Sequence, residues 1–420
     1  MEKKEKEKKM IDNKIEINKF SKEAVNKNNP KWKKIISRKK ELYKTKNDLR
    51  TEFERDYTRI IYSNAYKRLK HKTQVFFSPD NDHICTRIEH VNNVESISYT
   101  IAKTLGLNTE LTKVIAVAHD LGHSPFGHEG ERILNNILMH DTGNKFWHEK
   151  NGLNYVDTIE LLENREGYKE NLNLTYAVRD GIISHCGEID ENSLKPRKEF
   201  IELEDYNYPN QYSPYTWEAC VVKIADKISY LGRDIEDAIR FNILKEEDIR
   251  KLEEKLDFKS LGYDVLNNTN IINYLTIDLI NNSSIEKGLM FSNEGLNIIN
   301  SLKKFNYEKI YMNDKISKAG NYFKIILTTI YDLLKESYSN KVEKIINNNM
   351  LYSDVVIEFT NYLKNYCIED NFEVKDIVKL KNNKIYDINK KEDYYRAIID
   401  YISGMTDNKA IDMYNKIISF

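Results

Sequence analysis

The chain has 420 residues, 40% of them hydrophobic and 31% charged, which supplies apolar material for one large soluble domain or two smaller ones. Lysine and arginine number 65 and aspartate and glutamate 66, a formal net charge of -1. No global field therefore draws the protein to nucleic acid or to a membrane surface, and any anion site has to be local.

The start, MEKKEKEKKM, alternates charge where a signal peptide is apolar, and no apolar run approaches the ~20 residues that a membrane span needs. Cys85, Cys186, Cys220 and Cys367 stand far apart with no CxxC pair, which argues against a disulfide framework or a thiolate zinc site and fits a reducing, cytoplasmic setting. With only 15 glycines and 6 prolines, helices joined by short connections are favoured over strands. Residues 1–49 read as a charged N-terminal arm, frayed or disordered. Residues 50–240 hold nearly all the histidines and most of the glycine and proline punctuation, and read as the catalytic core. Residues 241–420 read as a helical C-terminal region packed on that core, with apolar stripes such as Tyr322, Ile325, Ile326, Thr329, Ile330 and Leu333.

Within the core, Ile88, Val91, Val94, Ile101 and Leu105 recur at helical spacing and Gly106 ends the run, so His90 rides on a helix. Asn108 is positioned to cap a second helix, whose buried stripe is Leu111, Val114, Ile115 and Ala118 and whose end carries His119 and Asp120. The following LGHSPFGHEGE breaks the helix at Gly122, Pro125 and Gly127, and a third helix is expected near Glu129. A fourth runs through Trp217, Val221, Ile224, Ile228, Leu231 and Ile235. It places Asp226 near its middle and puts Tyr230, Arg233 and Asp234 on the same face.

A lone helical histidine is usually a surface residue or a hydrogen-bonded core residue, and a salt bridge to Lys227 or Arg233 would account for Asp226. His119 and Asp120, followed within nine residues by His123 and His128, resist that explanation, because four titratable groups crowd one glycine-punctuated turn. His90, His119, Asp120 and Asp226 together make a mixed nitrogen and oxygen donor set. Such a set suits a divalent ion such as Mn, Mg, Fe, Co or Ni better than structural zinc.

These segments resemble the deoxynucleotide triphosphohydrolase branch of the HD superfamily. RDYTRIIYSNAYKRLKHKTQVF at 55–76, TRIEHVNNVESISYTIAKTLGLN, AVAHDLGHSPFGHEGE, WEACVVKIADKISYLGRDIEDAI and DYISGMTD at 400–407 stand in that branch's order and spacing. The resemblance runs from about Arg50 to the end and is weakest over 241–390. It implies an all-α fold, an HD-domain helical core with additional packing helices, and the metal ligands His90, His119, Asp120 and Asp226. The implied reaction is water attack on the α-phosphorus of a deoxynucleoside triphosphate, releasing deoxynucleoside and intact triphosphate. His128 matches the proton-carrying imidazole, with Glu131 orienting it and His148 as a second candidate, while His123 faces substrate phosphate.

Arg87 and Lys227 match phosphate contacts, and Gln74 matches a contact near sugar and base. Tyr230 and Asp234 match residues that approach the sugar, where a ring under C2′ excludes a ribose hydroxyl. Taken without the resemblance, Arg87 and Lys227 read as surface cations, Tyr230 as a core aromatic and Asp234 as a partner of Arg233. The resemblance further implies a homo-oligomer, tetramer or hexamer, with a nucleotide effector at subunit contacts. Two positions depart from the family pattern. Arg233 stands where histidine is frequent, which is expected to shift substrate preference. Asn408 and Lys409 follow MTD where arginine and tyrosine are usual, which is expected to weaken a phosphate or subunit contact. The alternatives are another HD phosphohydrolase, such as a nucleotidase or phosphodiesterase, or a non-catalytic nucleotide sensor. The balanced charge offers nucleic acid little.

Overall fold

The expected helices form in the computed structural model, which describes residues 16–42, 48–77, 85–185, 192–348, 350–368 and 379–419. The first fifteen residues and Cys186, both considered above, lie outside the described residues. The helices on or beside which most of the candidate residues lie are α1 (Arg87–Leu105), α2 (Thr109–Ala118), α3 (Gly127–Thr142), α4 (His148–Asn154) and α5 (Trp217–Arg240). Further along come α6 (Asn268–Asn282), α7 (Asn293–Asn306), α8 (Asp314–Glu336), α9 (Lys391–Ser403) and α10 (Asp407–Ile418). Among the described residues no helix is long and apolar enough to cross a membrane.

The chain divides into two compact units. The first comprises Met1–Ile36, His90–Ala116 and Ser184–Ser317, and the second Ser37–Glu89, Val117–Ile183 and Lys318–Phe420. Each unit draws on all three of the segments distinguished by composition.

In the first unit, α5 packs on α6 and α7. Its apolar positions Val221, Ile224, Ile228 and Leu231 are buried, as are Leu275 and Leu302 on the packing helices, each such side chain contributing ~1.5–3 kcal/mol on burial. Gly232 is the closest approach, where an added Cβ would lie 2.7 Å from Asn268 Oδ1 and 2.9 Å from its Cα. Thr216 caps α5 by accepting from the Ala219 amide. Gly106 ends α1 at φ +80°, and Asn108 Oδ1 caps α2 by accepting from Leu111 N at 2.9 Å. Beyond α7 the backbone widens into a π-turn over Tyr307–Tyr311.

The expected N-terminal arm is corrected over residues 16–36, which pack into this unit rather than fraying. Phe20 and Val25 are buried, and the Phe20 ring meets Trp217 edge-on at 4.9 Å. Glu218 Oε1 accepts both Val25 N and Asn108 N, at 2.9 and 3.0 Å. Lysine-rich composition concealed the few apolar anchors that decide the matter.

In the second unit, α3 packs against α9, with Leu134, Ile398, Tyr394 and Leu327 in the core. A small sheet interrupts the helices. β1 (Leu161–Glu163) runs antiparallel to β2 (Tyr168–Asn171), Leu161 opposite Asn171, and β2 runs parallel to β3 (Lys379–Leu380), Tyr168 opposite Lys379. The stripe read on α8 is only half buried, because Ile330 and Leu333 face the core while Tyr322 and Ile325 are 68% and 50% exposed.

Candidate active site

In the first unit, His90 on α1 and Asp226 on α5 meet, with His90 Nε2 2.9 Å from Asp226 Oδ1. Ser229, one turn beyond Asp226, donates its hydroxyl to the Asp226 carbonyl at 2.9 Å and lies 3.2 Å from His90 Nδ1. An imidazole nitrogen and a carboxylate oxygen brought side by side are donors that suit a divalent ion, so the pair fits one by its donor chemistry. Arg233 lies 3.9 Å from both Glu236 and Asp237. Lys227 is buried and Tyr230 half-buried on the same helix. Asp234 accepts from the Tyr311 hydroxyl at 2.5 Å, and burial pushes the Tyr311 phenol well above its ordinary range, with Asp234 adding to it.

In the second unit, His119 and Asp120 close α2. Asp120 is almost fully buried, its Oδ2 2.7 Å from Arg87 Nη1 and its Oδ1 3.1 Å from His123 Nε2 and 3.5 Å from His119 Nε2. Burial alone would raise this carboxyl, but His123, His119 and Arg87 outweigh it and hold Asp120 well below the usual carboxylate range. Arg87 is only 1% exposed, and its Nε and Nη2 have no hydrogen-bond partner among the described residues. A Cβ placed on Gly127 would stand 3.5 Å from Nη2 and 3.1 Å from the Gln74 carbonyl. Gln74 Oε1 is likewise buried without a partner among the described residues.

The turn after Asp120 is tight. Gly122 sits so close to α4 that a Cβ there would fall 2.1 Å from both Gly152 N and His148 O. Phe126 and Gly127 both take positive φ, 63° and 61°, a conformation that costs a non-glycine residue ~1–3 kcal/mol. This left-handed entry starts α3 at Gly127, two residues before the expected Glu129.

From the turn, α3 and α4, His123, His128, Glu131 and His148 gather so that one ligand atom of each lies within 4.8 Å of the others. The His123 and His148 rings stack at 3.8 Å, and His128 meets His123 edge-on at 5.3 Å. Glu131 serves two imidazoles rather than His128 alone. It accepts from the His148 backbone amide at 3.0 Å and faces His148 Nδ1 at 3.1 Å, while His128 Nδ1 lies 3.4 Å away. His128 is 71% exposed at its side chain and His148 5%, so the former is the imidazole open to solvent. Burial opposes charge on His148, but Glu149 and Glu131 prevail and raise it to about 10. Burial likewise works against Glu131, and His148 and His128 hold it well below its usual range. Burial and the Arg87 guanidinium keep His123 well below an ordinary imidazole.

A family profile described as HD domain matches residues 87–231, and one described as phosphohydrolase-associated domain matches 370–416. A deoxyguanosinetriphosphate triphosphohydrolase-like protein of Caldanaerobacter subterraneus subsp. tengcongensis is 34% identical over 372 residues, 88% of this chain and 86% of the relative. The chain belongs to the deoxyguanosinetriphosphate triphosphohydrolase-like family of HD-domain proteins. Proteins of the same name from Rickettsia rickettsii and Desulfatibacillum aliphaticivorans are 33% and 35% identical over 385 and 302 residues, 88% and 70% of this chain and 92% and 75% of those relatives.

Four groups in this triphosphohydrolase-like chain escaped the sequence reading. Ser229, Tyr311 and Lys72 are bound by contacts that only the fold creates. Glu149 is 1% exposed, with neither oxygen hydrogen-bonded among the described residues and an ion pair to His148 Nδ1 at 3.4 Å. Its place immediately after His148 was the one available signal.

The elevated His148 has a consequence for stability. In the unfolded chain this imidazole titrates near 6.5 and in the fold near 10. The stabilisation is thus complete below about 6.5 and is lost as pH rises through about 10, because over that span the native state keeps a proton the unfolded chain has released. Melting temperature should fall across this window, and His148→Gln should flatten the slope. Parallel pH profiles for both proteins would contradict the assignment.

Proposed function

We propose that this HD phosphohydrolase cleaves deoxynucleoside triphosphates, dGTP or several of them, to deoxynucleoside and inorganic triphosphate. The observation that carries the reading is Arg87. A buried guanidinium with two nitrogens unbonded among the described residues, anchored through its third to Asp120, is a preformed receptor for an acceptor-rich anion, and a phosphate oxygen pair matches its fork. Arg87 opens α1, the helix that carries His90, and bonds Asp120.

In this reading His90, His119, Asp120 and Asp226 hold one divalent ion, Mn, Mg, Fe, Co or Ni. When bound, such an ion polarises an α-phosphate oxygen and lowers the pKa of water. The chain's own groups do the rest. His128, exposed and backed by Glu131, moves the proton between water and leaving oxygen. His148, held as imidazolium, donates to developing negative charge. His123, stacked on it, faces substrate phosphate, and Lys227 adds a cation. Gln74 approaches sugar and base, while Tyr230 and Asp234 approach the sugar, Asp234 with its carboxylate oriented by Tyr311. The names of the relatives support the substrate class. The reading extends to a cytoplasmic homo-oligomer, tetramer or hexamer, with nucleotide at subunit contacts.

The test is incubation with each deoxynucleoside triphosphate and Mn or Mg, the products separated by anion exchange. Intact triphosphate is expected. Stepwise release of monophosphate would reject the reaction type.

A further inference from the structure

The turn 122–127 carries His123 and leads into the helix of His128 and Glu131. Beside local bonds such as His123 N to the Asp120 carbonyl, three of its backbone groups, the Gly122 and His123 carbonyls and the Phe126 amide, are held from elsewhere in the second unit. Lys72 Nζ donates to the His123 carbonyl and, at 2.9 Å, to the Ser403 carbonyl at the end of α9. Asn151 Nδ2 donates to the Gly122 carbonyl at 2.7 Å and to Ser403 Oγ at 3.2 Å. Asp407, the first residue of α10, accepts Phe126 N on Oδ1 and Thr73 N on Oδ2, both at 2.8 Å. Lys72, Asn151, Ser403 and Asp407 are all buried. Tyr155 closes the set by donating to the Asp400 carbonyl at 2.7 Å.

The residue that Asp407 grips is the non-glycine one in the left-handed region, Phe126 at φ +63°. Without an acceptor for its amide, that peptide has a lower-energy alternative in the right-handed or extended region. A rotation there would swing His123 and the first turn of α3 together. The acceptor comes from 281 residues away in sequence, inside the stretch that matches the phosphohydrolase-associated domain.

We propose that Asp407, assisted by Lys72, is a positioning residue through which the C-terminal segment sets the peptide geometry of the His123 turn. This rests on the reading of that turn as part of a hydrolytic centre. The C-terminal motif is then a built part of the site rather than a surface for phosphate or subunits. That accounts for its tolerance of Asn408 and Lys409, since the aspartate before them makes the contacts.

The experiment compares the full-length protein with Asp407→Asn, which loses one of two strong acceptor oxygens, and Asp407→Glu, which keeps both. Hydrogen exchange of the peptide 120–131, melting temperature, bound metal, kcat and KM are read together. Exchange over 122–127 should accelerate in Asp407→Asn while metal content stays that of the parent. Turnover should fall about tenfold or more with KM nearly constant, since a small misplacement of a catalytic group acts on the chemical step, and Asp407→Glu should recover part of kcat. Unchanged exchange, or faster exchange with unchanged kcat, overturns the proposal. Should Asp407→Asn fail to fold, the same measurements on Lys72→Met decide between the same outcomes. A parent protein that turns over no deoxynucleoside triphosphate refutes the proposed reaction alone. The clamp is then decided by exchange, faster supporting it and unchanged rejecting it.

Discussion

Asp120→Ala is expected to leave the protein without its divalent ion and to lower turnover by at least ~10³-fold, since a metal supplies several kcal/mol of transition-state stabilisation and each 1.36 kcal/mol is a factor of ten. The same substitution removes from Arg87 the Asp120 oxygen 2.7 Å away. Breaking a buried pair from one side costs ~3–5 kcal/mol of stability. Asp120→Asn separates the two effects, because it keeps the shape and an acceptor for Arg87 while weakening the metal. Metal content by mass spectrometry, melting and turnover on the preferred nucleotide make the measurement. Full turnover in either variant would remove Asp120 from the proposed ligands.

Arg87→Lys is the second large effect. Lysine returns one positive charge near Asp120, so most of the stability should survive, but it cannot present two further nitrogens in a fork. Two charge-assisted hydrogen bonds at ~1.5–3 kcal/mol each correspond to roughly 10²- to 10⁴-fold in kcat/KM. Arg87→Met should lose the same activity and, in addition, the stability of the buried pair. If Arg87→Lys kept kcat/KM within a few-fold of the parent, the other two guanidinium nitrogens would have no substrate role and the phosphate-receptor reading would fall.

Much of this is legible in the order of the residues alone. The helix bearing His90 ends where Gly106 says it should, and Asn108 caps the next one, because periodicity and capping are local properties of the chain. The placement of Asp226 within α5 follows from the same 3.6-residue stripe. What the sequence could not show is contact between distant segments. Ser229 looks like any helical serine until His90 is found beside it, and Glu131 looks like a partner of His128 alone, three residues away, until α4 brings His148 onto it. The start of α3 depended on a left-handed phenylalanine, a conformation no propensity favours and only tertiary bonds sustain. The N-terminal segment misled for the opposite reason. Its lysines dominated the composition, while Phe20 and Val25, two side chains in a polar run, decided its packing.

Gly122 carries a last implication. Because its backbone touches that of His148 and Gly152 with no space for even a methyl group, the separation of the two stacked imidazoles is fixed by main chain meeting main chain, not by the sizes of neighbouring side chains. Side-chain substitutions around the turn can therefore change its polarity without changing that spacing. An engineer reshaping this turn should leave the glycine seam alone.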